Sequence, residues 1–168
     1  MKIIFFECMQ CGTCCKNLFD YYYEDRFMKG LALTPKERNL FSPETVSPDL
    51  AVGKRNPEKI ILYQLNVKNC PYLGESNLCQ IYEKRPLVCR SFPFDSRDKS
   101  FSLKCPVFGN QVKEEEIFEA SDVNAEVESS AKMNRYLDDR YRRYLKKDSK
   151  LWEFNLATKK WIIHEKSK

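Results

Sequence analysis

Histidine is nearly missing from this chain: among 168 residues there is one, His164. A lone histidine close to the C-terminus is more often a surface residue than a ligand, so it is left out of any metal site. A transition-metal site must then be built from thiolate, with carboxylate or water at most. The same scarcity removes a histidine general base and a Ser-His-Asp nucleophile set, and no phosphate-binding loop is present. Only five glycines occur and no period repeats, which excludes collagenous, solenoid and low-complexity architectures. Long apolar runs are missing too. No stretch approaches the roughly 20 apolar residues of a membrane span. The opening Met1-Lys2-Ile3-Ile4-Phe5-Phe6-Glu7 carries only a short apolar run before its glutamate, less than a signal peptide requires. The expectation is a cytoplasmic protein without a membrane partner, in a compartment where thiols stay reduced.

What is present is a soluble composition, 42% hydrophobic and 32% charged, with enough length for one domain to bury its own core. Aromatics at 13% argue for a well-packed interior. The net charge of +5 is mild, and binding to nucleic acid does not follow from it. The informative residues are eight cysteines, four of them in Cys8-Met9-Gln10-Cys11-Gly12-Thr13-Cys14-Cys15 and the others at Cys70, Cys79, Cys89 and Cys105. Four disulfides are arithmetically possible, but disulfide density belongs to small exported domains. Clustered thiols in a reducing compartment are metal ligands first.

A loop with thiols at intervals of three curls so that each returns to the same side and can wrap a metal. Cys14 and Cys15 are adjacent, and adjacent side chains diverge, which predicts one thiolate for one centre and its neighbour for another. All-sulfur ligation selects zinc or iron–sulfur clusters. Zinc ribbons and fingers use two C-x2-C knuckles a dozen or more residues apart. Here a single knuckle continues as C-x2-C-x2-C, the iron–sulfur run that a remote Cys-Pro completes. Cys70-Pro71 and Cys105-Pro106 both qualify. The reading is one or two [4Fe-4S] clusters: Cys8, Cys11, Cys14 and one Cys-Pro cysteine on one, Cys15 and the other three on a second. The rival is a single four-cysteine centre, and zinc is the alternative metal. Lys16, Arg85, Arg90 and Lys104 lie close to cysteines in sequence, where positive charge would stabilise an anionic cluster; Arg85 and Arg90 are the candidate cofactor-contacting residues, though they could equally anchor the loop through carbonyls.

The remaining segments suggest an α+β fold. Residues 1–110 form a small, irregular cysteine-cluster region of short strands and helices. Residues 111–168 add a long helix and a terminal β-hairpin packed on it, in what is one structural domain. Lys2–Phe6 reads as a strand. Thr34-Pro35-Lys36-Glu37 reads as a capping box opening a short helix to about Phe41. Residues 42–58, with Pro43, Pro48 and Pro57, read as a loop, and Lys59–Val67 as a strand. Gly74-Glu75-Ser76-Asn77 is a turn, Ile81–Arg85 one or two helical turns stopped by Pro86, and Cys89–Phe94 irregular or extended. Val123, Val127, Ala131, Leu137, Tyr141 and Leu145 recur at helical spacing within 113–147. Acids lead that stretch and bases close it, which complements the helix dipole. Its basic end, Arg135 to Lys147, is a candidate surface for a partner protein. Trp152–Leu156 and Trp161–Ile163 flank a turn as a hairpin.

Cys8-x2-Cys11-Gly12-x-Cys14-Cys15, Cys70-Pro71-Tyr72-Leu73, Cys79-x-Ile81-Tyr82-Glu83-x-Arg85-Pro86-x2-Cys89-Arg90-x-Phe92-Pro93 and Cys105 together resemble the CxxCxxCC family, the YkgJ-type cysteine-cluster proteins regarded as zinc- or iron-chelating domains. The resemblance runs from about residue 8 to 106 and implies all eight cysteines as candidate ligands, with no defined reaction. Flagellin lysine methylases are similar in their cysteine motif, and their activity is linked to an iron–sulfur centre. This chain lacks the glycine-rich loop that would bind S-adenosylmethionine. The expected roles are therefore electron transfer, redox sensing or protein maturation through an iron–sulfur centre. The alternatives are a zinc-stabilised interaction module that docks a protein through its C-terminal helix and hairpin, and, more distantly, a cluster-dependent protein-modifying enzyme.

Overall fold

Lys59–Leu65 (β5) has the composition of a buried strand, and the largest sheet is assembled around it. The structure, a computed structural model, describes residues 9–22, 26–95, 100–101, 105–106, 125–145 and 148–164. By internal contacts the chain forms two compact units, each of two segments: 1–17 with 69–135, and 18–68 with 136–168. The boundary expected near residue 110 lies outside the described residues, as do the strand expected at Lys2–Phe6 and the site of Cys8.

The second unit holds a two-stranded ladder, Asp20–Tyr22 (β1) against Phe27–Lys29 (β2), and a five-stranded antiparallel sheet. The strands of the larger sheet are Ala32–Leu33 (β3), Val46–Gly53 (β4), β5, Lys150–Asn155 (β8) and Lys160–Ile163 (β9), in the order β3-β5-β4-β8-β9. The first unit contains a two-residue ladder, Phe94–Asp95 (β6) with Ser100–Phe101 (β7), and a short helix, Leu87–Ser91 (α1). One helix exceeds two turns among the described residues, Ala125–Leu145 (α2), which starts in the first unit and ends in the second.

The α+β expectation is therefore overturned. The described residues are mostly β: seven strands in two antiparallel sheets, with the β6–β7 ladder besides. The long C-terminal helix expected over 113–147 is corrected to Ala125–Leu145, with 107–124 outside the described residues. Nor is the terminal hairpin an appendage. Its first strand pairs with β4, Leu50 opposite Glu153 through to Gly53 opposite Lys150, so the last residues complete a sheet begun at residue 32. No helix among the described residues is long and apolar enough to cross a membrane.

The misread loop at 42–58 contains β4, the middle strand. Its proline is tolerated because Pro48 pairs only with Tyr63 of β5; pairing with β8 begins two residues later at Leu50. The register breaks on both sides of Leu50, and Asp49 has no β5 partner, so the irregularity turns the Asp49 side chain inward. The capping box is present as Thr34 N–H to Glu37 Oε2 at 2.8 Å and Glu37 N–H to Thr34 Oγ1 at 3.4 Å, but it opens only a 3-10 turn, Glu37–Leu40.

Leu18, Phe27, Leu33, Phe41, Ala51, Val52, Ile61, Leu62, Leu65 and Leu156 are buried apolar residues of this unit. Gln64 is fully buried among them: its Nε2 donates to Pro48 O at 2.8 Å and to Phe154 O at 3.1 Å, and its Oε1 accepts from Gly30 N–H at 2.7 Å. Asn155 does similar work, accepting from Met28 N–H and donating to Arg26 O. Gly30 passes so close to β5 that a Cβ there would sit 1.7 Å from the Leu65 carbonyl oxygen, a backbone atom with little freedom to yield. Gly30→Ala should cost about 2–4 kcal/mol in urea unfolding, at the upper end for overpacking because backbone must move. A loss below about 0.5 kcal/mol would show that the two segments can separate freely.

Candidate metal centre

The thiol loop is shaped by local backbone rules before any cysteine chemistry enters. Gln10 and Gly12 take positive φ, 53° and 72°. Cys15 N–H then closes on Gly12 O at 3.0 Å and Lys16 N–H on Thr13 O at 3.1 Å, winding Thr13–Cys15 into a 3-10 turn. Gly12 is demanded twice, since a Cβ would also meet Asn77 Cβ at 3.0 Å and Leu73 Cδ1 at 3.2 Å. The loop lies on the segment that follows residue 68. Cys70 N–H donates to Cys15 O at 2.8 Å, Asn17 N–H to Asn69 Oδ1 at 3.3 Å, and Lys16 Nζ to Asn77 Oδ1 at 2.9 Å. That segment folds tightly: Leu73 bridges Cys79, and Gly74 N–H donates to Leu78 O at 2.9 Å, the turn expected at Gly74–Asn77.

These ties bring the sulfurs of Cys14, Cys15 and Cys70 together. The Cys15 thiol hydrogen-bonds both neighbours. Cys14 is stabilised as a thiolate chiefly by that bond and falls to about 6; Cys70, held by the Cys15 bond and then by the N–H groups of Tyr72 and Leu73, falls to about 7. Cys15 is pushed far above the usual thiol range, because its hydrogen bonds to Cys14 and Cys70, its burial and the negative charge of those two neighbours all favour the protonated thiol. Cys14 and Cys15 thus interact with one another, although successive side chains of a 3-10 turn are set about 120° apart.

Cys89 joins from α1. The irregular or extended course expected for Cys89–Phe94 is corrected for Cys89–Ser91, which close a helix that Pro86 precedes at its N-cap, while Phe94 is extended in β6. Cys89 is half-buried, and desolvation raises its pKa, with the charges of Cys70, Cys14 and Cys79 adding to the rise. Arg85 acts the other way on both Cys14 and Cys89. Its guanidinium lies 3.6 Å from the Tyr82 ring centroid and its Nε donates to Tyr82 O at 2.9 Å, so loop anchoring and thiolate stabilisation are performed by one side chain. Arg90 is exposed on α1 beside Cys89.

The other thiols are placed less centrally. Cys11 is exposed and shares a 3.2 Å hydrogen bond with Thr13 Oγ1, which lowers its pKa. Cys79 is half-buried within electrostatic range of Cys89, Cys105 is buried, and Cys8 lies outside the described residues. His164 belongs to the other unit, where its Nδ1 meets Glu153 Oε1 at 3.1 Å.

Among the described residues no three His, Cys, Asp or Glu side chains are arranged to hold a metal ion as they stand. The donor chemistry nevertheless fits a soft cation. Cys14, Cys15 and Cys70 are near enough to set one another's ionisation, Cys89 is within electrostatic reach, and two N–H groups and a guanidinium offset the negative charge that four thiolates would bring. Thr13, the Tyr72 and Leu73 N–H groups and the Tyr82 ring were not foreseen; a tight turn after Cys-Pro was the available signal for the N–H pair.

Residues 7–108 match the CxxCxxCC family, described as "Putative zinc- or iron-chelating domain". The chain belongs to this family. Comparison with curated proteins and with solved structures returned no match. The CxxCxxCC stretch takes in every cysteine of the chain, and it spans residues of both compact units.

Proposed function

We propose that this CxxCxxCC protein carries a thiolate metal centre whose first ligands are Cys14, Cys15, Cys70 and Cys89, and that the metal is iron in an iron–sulfur cluster used for electron transfer, redox sensing or protein maturation. The observation that carries the proposal is the hydrogen-bonded set Cys14, Cys15, Cys70, with Arg85 compensating its charge. Cys14 belongs to the C-x2-C-x2-C run, the spacing of iron–sulfur proteins, and Cys8, Cys11, Cys79 and Cys105 are the remaining candidate ligands.

A zinc-stabilised interaction module is the second reading. The mutual hydrogen bonding of Cys14, Cys15 and Cys70 favours it, because ligands of one ion lie closer together than ligands on separate irons of a cluster. In that reading β9, at the sheet edge with Ile162 and Ile163 exposed, and the exposed Arg142 and Arg143 of α2 are the surface for a protein partner.

Elemental analysis with an ultraviolet–visible spectrum on protein purified without oxygen separates the two. Iron and sulfide with a bleachable visible band support the cluster; zinc in a colourless protein that unfolds on chelation supports the module. Cys15→Ser should remove at least one metal equivalent. Unchanged metal content in that variant would take Cys15 out of the ligand set.

A further inference from the structure

We propose that Cys15 and Cys70 form a redox-switched pair, closing into a disulfide when their metal is absent and thereby preventing its return. The inference deepens the metal-centre reading by naming a regulation of that same site. Its basis is backbone geometry. Cys70 N–H donates to Cys15 O at 2.8 Å, so two residues far apart in sequence run side by side, and their sulfurs already share a hydrogen bond. Flanking ties from Asn17 N–H to Asn69 Oδ1 and from Lys16 Nζ to Asn77 Oδ1 hold that approach from the residues next to Cys15. Directly paired backbones give the Cα separation of about 4.4–6.8 Å that a disulfide needs.

The competing partner for Cys15 is Cys14, which it also contacts. A bond between neighbouring cysteines closes a small ring through their planar peptide, and it would break the 3-10 turn that Thr13–Cys15 makes. Cys89, within α1, is related to Cys70 through charge, without the backbone bond that joins Cys70 to Cys15. Cys15 with Cys70 is the pair that closes with least movement.

The oxidant is a low-molecular-weight disulfide. One cysteine sulfur attacks it and expels a thiol, leaving a mixed disulfide; the second cysteine displaces the remaining half. The products are Cys15–S–S–Cys70 and two small-molecule thiols, which carry away both protons and the two electrons lost by the protein sulfurs. Two donors of the metal set are consumed.

The test uses the full chain purified without oxygen, with half of it stripped by chelator and half loaded with zinc, each then exposed to oxidised glutathione. Remaining thiols are alkylated, and chymotryptic peptides are mapped by mass spectrometry; cleavage after Tyr72 separates Cys70 from Cys79. The expected result is a link between the loop peptide and the Cys70 peptide in the stripped protein, suppressed about tenfold by zinc, retained in Cys14→Ser and lost in Cys15→Ser and Cys70→Ser. A link that survives in Cys15→Ser, a dominant Cys14–Cys15 product, or pairings scattered over many thiols would overturn the proposal. Metal content measured on the same samples keeps the two readings apart. Full metal binding without the link overturns the switch alone, and the link in a protein that takes up neither zinc nor iron overturns the metal centre alone.

Discussion

Lys29→Met is expected to lower the stability of the protein by about 3–5 kcal/mol, the cost of leaving a buried charge without its partner. Lys29 Nζ stands 3.0 Å from Asp49 Oδ1 and 3.2 Å from Glu153 Oε1, and all three side chains are largely withdrawn from water. Asp49 is 3% exposed, and its Oδ1 has no aligned hydrogen bond, so the Lys29 ammonium is what compensates it there. Burial opposes the Lys29 charge, but Asp49 and Glu153 together outweigh it and raise its pKa. For Asp49, burial wins over the attraction of Lys29, and its pKa also rises. Removing the ammonium takes away what holds it down, so Asp49 rises further. A carboxyl with a raised folded-state pKa binds more protons folded than unfolded, and its contribution to stability falls as pH rises above the unfolded value near 3.9. The K29M deficit should therefore be largest at neutral pH and shrink as the buffer is made more acid. Urea unfolding at two pH values measures both. A loss under about 1 kcal/mol at pH 7 would mean that water reaches Asp49 and screens it. The double variant K29M/D49N should recover part of the loss, since neither charge then remains unpaired.

This ion network shows why parts of the fold were legible in the sequence and others were not. β5 could be read from its own residues, because Ile60-Ile61-Leu62-Tyr63 declares a strand without reference to anything distant. The Gly74–Asn77 turn and the Thr34/Glu37 capping box were legible for the same reason: their hydrogen bonds close within four residues. β4 was not legible. It carries Pro48 and Asp49, both signals against a strand, and its pairing is justified only by partners on β5 and β8, the latter a hundred residues downstream. The fold class failed with it, because a helical stripe is visible locally while the membership of residues 150–163 in a sheet begun at residue 32 is not.

The cysteine site divides along the same line. That thiols group together could be argued from spacing and from the family resemblance. Which ones touch depended on a 3-10 turn seated against Leu73 and Asn77 by Gly12, a contact no spacing rule encodes. Arg85 was found by its nearness to cysteines in sequence, and the Tyr82 ring beneath it explains how one guanidinium keeps an orientation toward both Cys14 and Cys89.

Gln64→Leu should destabilise the protein by about 3–5 kcal/mol, although it replaces a polar core residue with an apolar one of similar size. Sheets with buried polar side chains invite the opposite expectation, since apolar replacements of paired groups are often neutral. The difference here lies in the partners. Gln64 bonds only backbone: Gly30 N–H, Pro48 O and Phe154 O, from three separate segments. Pro48 lies before the β4–β8 ladder begins, and a side-chain substitution cannot remove the backbone groups left behind. Each buried orphan costs about 1–3 kcal/mol, and at least the Gly30 N–H and one of the two carbonyls lose their partner. Gln64→Glu tests the same geometry by sign. It keeps the acceptor for Gly30 but turns a carboxylate oxygen toward two carbonyls, so it should be as damaging as leucine at pH 7 and should recover toward acid pH, where a protonated carboxyl can donate to one of them. Chemical unfolding of both variants, with hydrogen exchange at Gly30, decides the matter. Unchanged protection of the Gly30 amide in Gln64→Leu would show that water takes over the bond and that the side chain is not what joins these three segments.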